Sequence, residues 1–328
     1  MKILVTGVAG FIGFHISKSL LLNNKVEIIG LDNINDYYLT QLKEDRLSIL
    51  YNNDNFKFYK LDLIEKDKLS QILIKEKPDY IIHLAAQAGV RNSIENPHIH
   101  IKSNITGFLN ILETSRLIKL KHLVFASSSS VYGLNNTPFF SELDNVDKPA
   151  SIYASSKKSN ENMSYVYSHL YKLPITGLRF FTVYGPWGRP DMAYFKFVKN
   201  IIQGKPIDVY GFGKMQRDFT YIDDVVWGIK SIIDKPPLVS KKDNGETIPW
   251  QIFNIGNNKP VELEKFIKVI ETELRKKSKK IYKEMMMGDV VSTAANIDKI
   301  RKYSGYNPST TIEKGIPKFI SWYKSYYK

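Results

Sequence analysis

Tyr153 and Lys157 stand four residues apart in the segment Tyr153-Ala154-Ser155-Ser156-Lys157. On a helix that spacing puts the phenol and the ammonium on one face, about 5–6 Å apart at Cβ. A cation so placed favours the phenolate and lowers a pKa that is ordinarily about 10. Tyr153 then becomes a usable general base near neutral pH. In a chain with 20 tyrosines such a pair arises easily by chance, so its place counts for more than its spacing. It follows, after one strand-to-helix connection, the run Ser127-Ser128-Ser129-Ser130-Val131-Tyr132-Gly133. Those serines read either as a polar loop or as hydroxyls that orient a sugar hydroxyl for hydride transfer. Ser128 is the catalytic candidate, with Ser129 and Ser130 beside it.

A second group of residues could hold the hydride carrier. Thr6-Gly7-Val8-Ala9-Gly10-Phe11-Ile12-Gly13 opens a helix directly after an apolar strand, with Gly-x-x-Gly-x-x-Gly spacing. Absent side chains let the backbone approach a pyrophosphate, and the helix N-terminus offers unpaired N–H donors. Three glycines could equally be a tight turn, but Asp32 closes the second strand in Gly30-Leu31-Asp32-Asn33. An acid there accepts hydrogen bonds from an adenosine ribose and repels a 2′-phosphate, which favours NAD over NADP. Gly7, Gly10, Phe11, Ile12, Gly13, Asp32 and Asn33 are therefore expected cofactor contacts, together with Tyr153 and Lys157. Asp62 and Leu63 are expected near the adenine, and Leu84, Ala85 and Ala86 near a ribose-phosphate.

These residues need a scaffold that gathers strand ends. Strands are predicted at Lys2–Val5, Val26–Leu31, Phe56–Tyr59, Tyr80–Leu84, His122–Ala126 and Ile175–Phe180. Helices are predicted near Phe11–Leu22, Lys66–Lys75, Ile101–Leu117 and Ile152–Leu170. Strands alternating with helices imply an α/β protein, a Rossmann-type doubly wound parallel sheet with its site at the carboxyl ends of the strands. After Phe181 the rhythm breaks into loops rich in Gly, Pro and Arg, and the apolar run Gln251–Ile255 returns to the sheet. A cofactor domain over 1–181 plus about 225–258 is thus expected, with a smaller interleaved substrate domain over about 182–224 plus 259–328. Lys314–Lys328 reads as a final amphipathic helix in preference to a membrane-surface segment.

Composition removes other classes. The chain has 328 residues and is 43% hydrophobic, enough for a full core. With zero cysteines it has neither disulfides nor thiolate sites, which fits a reducing, cytoplasmic setting. No apolar run is long enough for a signal peptide or a membrane span. A net charge of +14 raises a nucleic-acid reading. Against it, the basic residues are scattered, and the densest runs, Lys276-Lys277-Ser278-Lys279-Lys280 and Lys241-Lys242, read as solvated ends; no nucleic acid is expected. His98 and His100 point to different faces of a helix, so no metal site is expected.

Taken together, the glycine loop, the serine run with Val131-Tyr132-Gly133 and the Tyr153/Lys157 pair resemble the extended short-chain dehydrogenase/reductases. Within that group the chain resembles the UDP-glucuronate 4-epimerases through Asp32-Asn33-Ile34-Asn35-Asp36-Tyr37-Tyr38, His83–Arg91, Leu178–Met192 and Arg217–Asp224. The resemblance covers most of residues 1–224 and is looser in the C-terminal third. It implies that Tyr153 takes the proton of the sugar 4-hydroxyl while hydride passes from C4 to NAD⁺ and later returns to the other face of the 4-keto sugar. Related dehydratases and decarboxylases carry an acid beside the catalytic hydroxyl, where this chain has Ser129 and Ser130, which points to epimerisation without elimination. The resemblance also nominates Ser128, Ser130, Thr182 and Arg189 for the substrate carboxylate, with Arg91 nearby. It assigns Arg217 to the UDP pyrophosphate and Asp289 to the uridine ribose. The segment 285–296 departs from the family pattern, leaving nucleotide contacts open. A homodimer, formed by helices near 101–117 and 152–170, and a role in surface polysaccharide synthesis are implied by the same resemblance. Two alternatives remain open at this level. One is a UDP-glucose or UDP-N-acetylhexosamine 4-epimerase, which a small Thr293 would permit. The other is a non-catalytic NAD-sensing regulator.

Overall fold

The fold is that of a computed structural model, which describes residues 1–238, 248–286 and 290–328. Six short apolar runs form parallel strands: β1 (Lys2–Thr6), β2 (Glu27–Asp32), β3 (Phe56–Lys60), β4 (Tyr80–His83), β5 (His122–Ser128) and β6 (Ile175–Phe180). The chain then leaves the sheet and returns once, as β10 (Trp250–Ile255), beside β6. The sheet runs β10-β6-β5-β4-β1-β2-β3, with every pairing parallel. This is the doubly wound α/β sheet that the alternation of elements implies.

Burial explains the near-continuous apolar strands. Alternate side chains face opposite sides of a strand. Ile3 and Val5 of β1 enter one core with Phe14 and Ile229, whereas Leu4 enters the other with Leu69 and Phe108. A sheet covered on both faces requires such strands. The helices that connect these strands are α1 (Phe11–Leu20), α2 (Thr40–Tyr51), α3 (Lys66–Glu76), α4 (Val90–Glu95), α5 (Pro97–His100), α6 (Gly107–Ser115) and α7 (Ile152–Tyr171). Between α5 and α6 the helix widens into a π-turn over Ile101–Thr106, so the predicted helix 101–117 starts four residues early and carries a bulge. Helix α2 escapes the periodicity because its pattern is weak: Lys43 and Arg46 are buried along with Leu42 and Leu47.

Outside the main sheet, β7 (Thr182–Tyr184), β9 (Gln216–Tyr221) and β11 (Pro260–Glu262) form a three-stranded sheet. A second small sheet pairs β8 (Ile207–Tyr210) with β12 (Lys280–Lys283). Around them lie α8 (Ala193–Ile202), α9 (Ile222–Lys230), α10 (Leu263–Leu274), α11 (Asp298–Ser304) and α12 (Ile312–Tyr326). The expected terminal helix is α12, and it packs inward through Ile316, Phe319 and Ile320. Among the described residues no helix is long and apolar enough to cross a membrane.

Helix α7 is the element that delivers the candidate chemistry. Ser151 caps it, accepting a hydrogen bond from the Ala154 N–H at 3.1 Å. Tyr153, Lys157 and Glu161 follow at successive turns of one face. Glu161 accepts from Arg179 Nε at 2.8 Å and Nη2 at 2.9 Å, and from the Ser127 hydroxyl at 2.6 Å. Both charged side chains are buried, at 4% and 2% exposure. Removing one member of such a pair strands the other charge. Glu161→Ala is therefore expected to lose about 3–5 kcal/mol in urea unfolding, with part recovered when Arg179→Met is added. A loss below about 1 kcal/mol would show that this tie does not hold the helix to the sheet.

Candidate active site

One cavity of about 720 Å³ lies along the carboxyl ends of the main strands. Its wall holds Gly7, Gly10, Phe11, Ile12, Gly13, Asp32, Asn33, Asp62, Leu63, Leu84, Ala85 and Ala86 on the expected cofactor side. The same wall holds Arg91, Ser128, Ser129, Ser130, Tyr153, Lys157, Thr182, Arg189 and Arg217. Asp289 falls outside the described residues, as does the Lys241-Lys242 run. Thr293 does not line this cavity; its backbone N–H bonds Gln216 O at 3.2 Å and its side chain is buried.

The glycine loop is built for close approach. Gly7 has φ +71, and a Cβ there would lie 2.7 Å from Ala85 N. A Cβ on Gly13 would lie 2.1 Å from Gly7 O, so α1 can start this close to β1 only without that side chain. Gly10 caps α1 with no side-chain acceptor, which leaves first-turn N–H groups turned to the cavity as anion donors. Asp32 accepts from the Ala9 N–H at 3.1 Å and the Ile34 N–H at 2.8 Å. Burial raises its pKa, while Lys43 and these two N–H donors pull the other way. Asn33 donates to Asp62 at 3.0 Å, joining the ends of β2 and β3. A bare-backbone loop, uncapped amides and a buried acid at the second strand fit a dinucleotide of the NAD type.

The candidate proton-transfer residues line the same cavity. Lys157 Nζ donates to Ala126 O at 2.8 Å, and burial lowers its pKa to about 8. Tyr153 differs from the sequence expectation. Burial raises its pKa, and the groups that lower it are the Ser128 hydroxyl and Arg189, with Lys157 directed at the strand end. Ser128 caps the 3₁₀ turn Ser129–Tyr132, accepting from the Ser130 N–H at 3.1 Å and donating to the Ser130 hydroxyl at 3.1 Å.

Several supporting residues carried no sequence signal. Asn104, inside the π-turn, donates to Ser156 Oγ at 3.0 Å and to Gln87 O at 3.0 Å. Asn160 donates to the Asn104 carbonyl inside that widened turn at 2.7 Å. On the substrate side, Arg189 is not an open fork: its Nε and Nη2 meet Asp191 at 3.0 and 2.5 Å. Tyr37 donates to the same carboxylate at 3.2 Å. Arg91 lies over the Tyr210 ring at 4.6 Å, and Arg217 Nη1 donates to Gln216 O at 2.8 Å. A two-residue Arg-x-Asp contact depends on loop shape, so spacing alone does not reveal it.

The burial of Lys157 generates a test. Its folded pKa, about 8, lies below the ordinary 10.5, so between those values the unfolded chain binds more protons. Stability from this group therefore rises with pH across that window and is penalised below it. Lys157→Met is expected to cut turnover by about 10²- to 10⁴-fold. Its melting temperature at pH 7 should be no lower than that of the unmodified protein, with any gain shrinking as pH approaches 10. A variant that melts well below the parent at pH 7 would refute this account.

Known proteins agree with the geometry. The model of the NAD dependent epimerase/dehydratase family matches residues 3–256. Protein CapI of Staphylococcus aureus is 51% identical over the whole of both chains. A probable UDP-glucuronate 4-epimerase of Rhizobium meliloti is 43% identical, over 100% of this chain and 98% of the relative. Among solved structures, UDP-glucuronic acid 4-epimerase from Bacillus cereus, in complex with UDP-glucuronic acid and NAD, superposes with a TM-score of 0.91 at 34% identity over the whole of both chains. The chain belongs to the NAD-dependent epimerase/dehydratase family.

Proposed function

We propose that this enzyme interconverts UDP-glucuronate and UDP-galacturonate by NAD-dependent 4-epimerisation. The observation that carries the reading is the convergence of Tyr153, Lys157, Ser128, Thr182 and Arg189 on one cavity that the glycine loop also lines. The Rhizobium relative and the Bacillus cereus complex, by their descriptions, support the substrate and the cofactor. Gly7, Gly10, Phe11, Ile12 and Gly13 would hold the pyrophosphate, Asp32 and Asn33 the adenosine ribose, and Asp62 and Leu63 the adenine. Leu84, Ala85 and Ala86 would line the second ribose-phosphate. Bound NAD supplies a hydride acceptor and donor at the sugar C4.

Tyr153 takes the 4-hydroxyl proton as C4 is oxidised and returns it after the ketone presents its other face. Ser128 keeps the hydroxyl aligned and, with Arg189, favours the forming phenolate, and Lys157 adds positive charge from the same cavity wall. A 4-keto uronate is a β-keto acid and loses CO₂ unless its carboxylate is held out of alignment with the ketone. Ser130, Thr182 and Arg189 supply hydroxyls and a guanidinium for that restraint. Ser129 and Ser130 stand where elimination would need an acid.

The same proposal includes the division into a cofactor domain (1–181 plus about 225–258) and a substrate domain (about 182–224 plus 259–328). Arg217 serves the UDP pyrophosphate and Asp289 the uridine ribose. The enzyme pairs as a homodimer, supported by exposed apolar side chains on the helices expected at that interface: Leu109 on α6, and Tyr165, Val166 and Leu170 on α7. It works in the cytoplasm and feeds polysaccharide synthesis. One observation favours a neutral-sugar alternative: Asp191 already occupies the Arg189 fork and offsets its charge.

Purified protein incubated with UDP-glucuronate and followed by NMR decides between them. Formation of UDP-galacturonate without CO₂ release is expected, and Tyr153→Phe should abolish it by about 10³-fold or more while NAD stays bound. Faster turnover of UDP-glucose or UDP-N-acetylglucosamine than of UDP-glucuronate would overturn the uronate assignment.

A further inference from the structure

Arg46 of α2 is fully buried, at 0% exposure, although no part of its guanidinium meets a carboxylate among the described residues. Its Nη1 donates to Ala9 O and to the Tyr38 hydroxyl, both at 2.8 Å. Its Nη2 donates to Trp187 O at 2.6 Å and to Gly188 O at 3.3 Å. One cation thus joins the glycine loop to the loop Gly185–Asp191, which carries Arg189. A buried charge bonded only to neutral acceptors is costly to leave unmet, so those carbonyls are held where the guanidinium needs them.

The held loop is not one the backbone would adopt unaided. Trp187 has φ +58, a left-handed conformation that a large side chain rarely takes. Two further ties reach the loop from the same side of the molecule. His15 of α1 bonds Pro186 O through Nε2 at 2.9 Å, and the Tyr37 hydroxyl donates to Asp191 at 3.2 Å. His15, Tyr37 and Arg46 all lie within residues 15–46, the stretch that directly follows the glycine loop.

We propose that Arg46 is a positioning residue that sets the Arg189 loop from the dinucleotide side, so that the glycine loop and the sugar-recognition loop form one mechanical unit. The inference rests on the proposed function only in treating Arg189 as a substrate contact. It assigns α2 a part in substrate recognition although α2 has no contact with the sugar to offer through Arg46. It also makes the affinity for the sugar end of the substrate depend on the order of the glycine loop.

A double-mutant cycle on the holoenzyme tests this, using Arg46→Met, Arg189→Ala and the pair, with Arg46→Lys as the variant that keeps the charge. Bound NAD per chain, melting temperature, kcat, KM and the inhibition constant for UDP are measured for each. Arg46→Met is expected to raise KM by about tenfold or more, with a smaller change in kcat, because a misplaced recognition loop weakens sugar binding. UDP, which lacks the sugar, should inhibit as before. In the cycle, the pair should be no worse than Arg189→Ala alone. Arg46→Lys, with one nitrogen in place of a fork, should recover folding and only part of the KM loss.

Additive penalties in the cycle, or equal losses for the sugar nucleotide and for UDP, would overturn the coupling and leave Arg46 a structural residue. Failure of the uronate reading looks different. There the unmodified enzyme prefers a neutral UDP-sugar, and the cycle is run on that sugar with the same two outcomes.

Discussion

Glu161 and Arg179 meet in a bidentate contact, at 2.8 and 2.9 Å, where α7 crosses the ends of β5 and β6. Taking both charges out of water costs roughly what their attraction returns, so the pair adds little net stability over an apolar packing. What it contributes is register. Only one placement of α7 satisfies Arg179, the Ser127 hydroxyl and the carboxylate together. Eight residues earlier on the same face, about 12 Å along the axis, that placement sets Tyr153. Ser128 follows Ser127 in β5, and Ala126, one residue before it, accepts from Lys157. Tyr153 therefore inherits its placement from a buried ion pair that does not line the cavity.

Electrostatics beside the phenol are similarly arranged by burial. His83 and His100 lie near Lys157, and burial first, then the lysine's charge, lowers their pKa values to about 3 and about 4. Both rings are neutral in the working range. Burial also lowers Lys157, yet only to about 8, so it stays charged near neutrality. The cavity wall that holds Tyr153 thus keeps a charged lysine without competing imidazoliums. The His100 ring meets Tyr153 edge-on at 5.9 Å and acts as packing there.

Much of this was legible in the residues. Apolar runs such as Ile3–Val5 and Leu123–Phe125 announce buried parallel strands, because a sheet covered on both faces permits little else. Gly7, Gly10 and Gly13 were legible because a missing side chain is a direct statement about space. The alternation of strands and helices placed the cavity, since strand ends gather there. Helix α2 was not legible: its inward face buries Lys43 and Arg46, which a hydrophobic pattern scores as solvent-facing. The π-turn at Ile101–Thr106 was hidden because it depends on Asn160, a residue of another helix, bonding the Asn104 carbonyl. Tyr153 and Lys157 share a helix face, but Lys157 bonds Ala126 O and is not among the groups that lower the Tyr153 pKa. Helical spacing brings two side chains to one face, while tertiary acceptors decide where each one points.

Arg189 shows why a site read as separate parts is incomplete. From the sequence it is a fork for a carboxylate; in the fold it already holds Asp191, lines the cavity, and lowers the pKa of Tyr153. These roles draw on one charge. A substrate carboxylate that drew Arg189 toward itself would compete with Asp191, which also accepts from the Tyr37 hydroxyl. The same movement would change the field at the phenol. In the proposed mechanism sugar recognition and base strength are then coupled through one guanidinium, and the loop holding it is anchored by Arg46 and His15, which flank the glycine loop. On the proposed mechanism a substitution in this loop should seldom alter KM alone, because the arginine proposed to bind the sugar also helps to set the acidity of Tyr153.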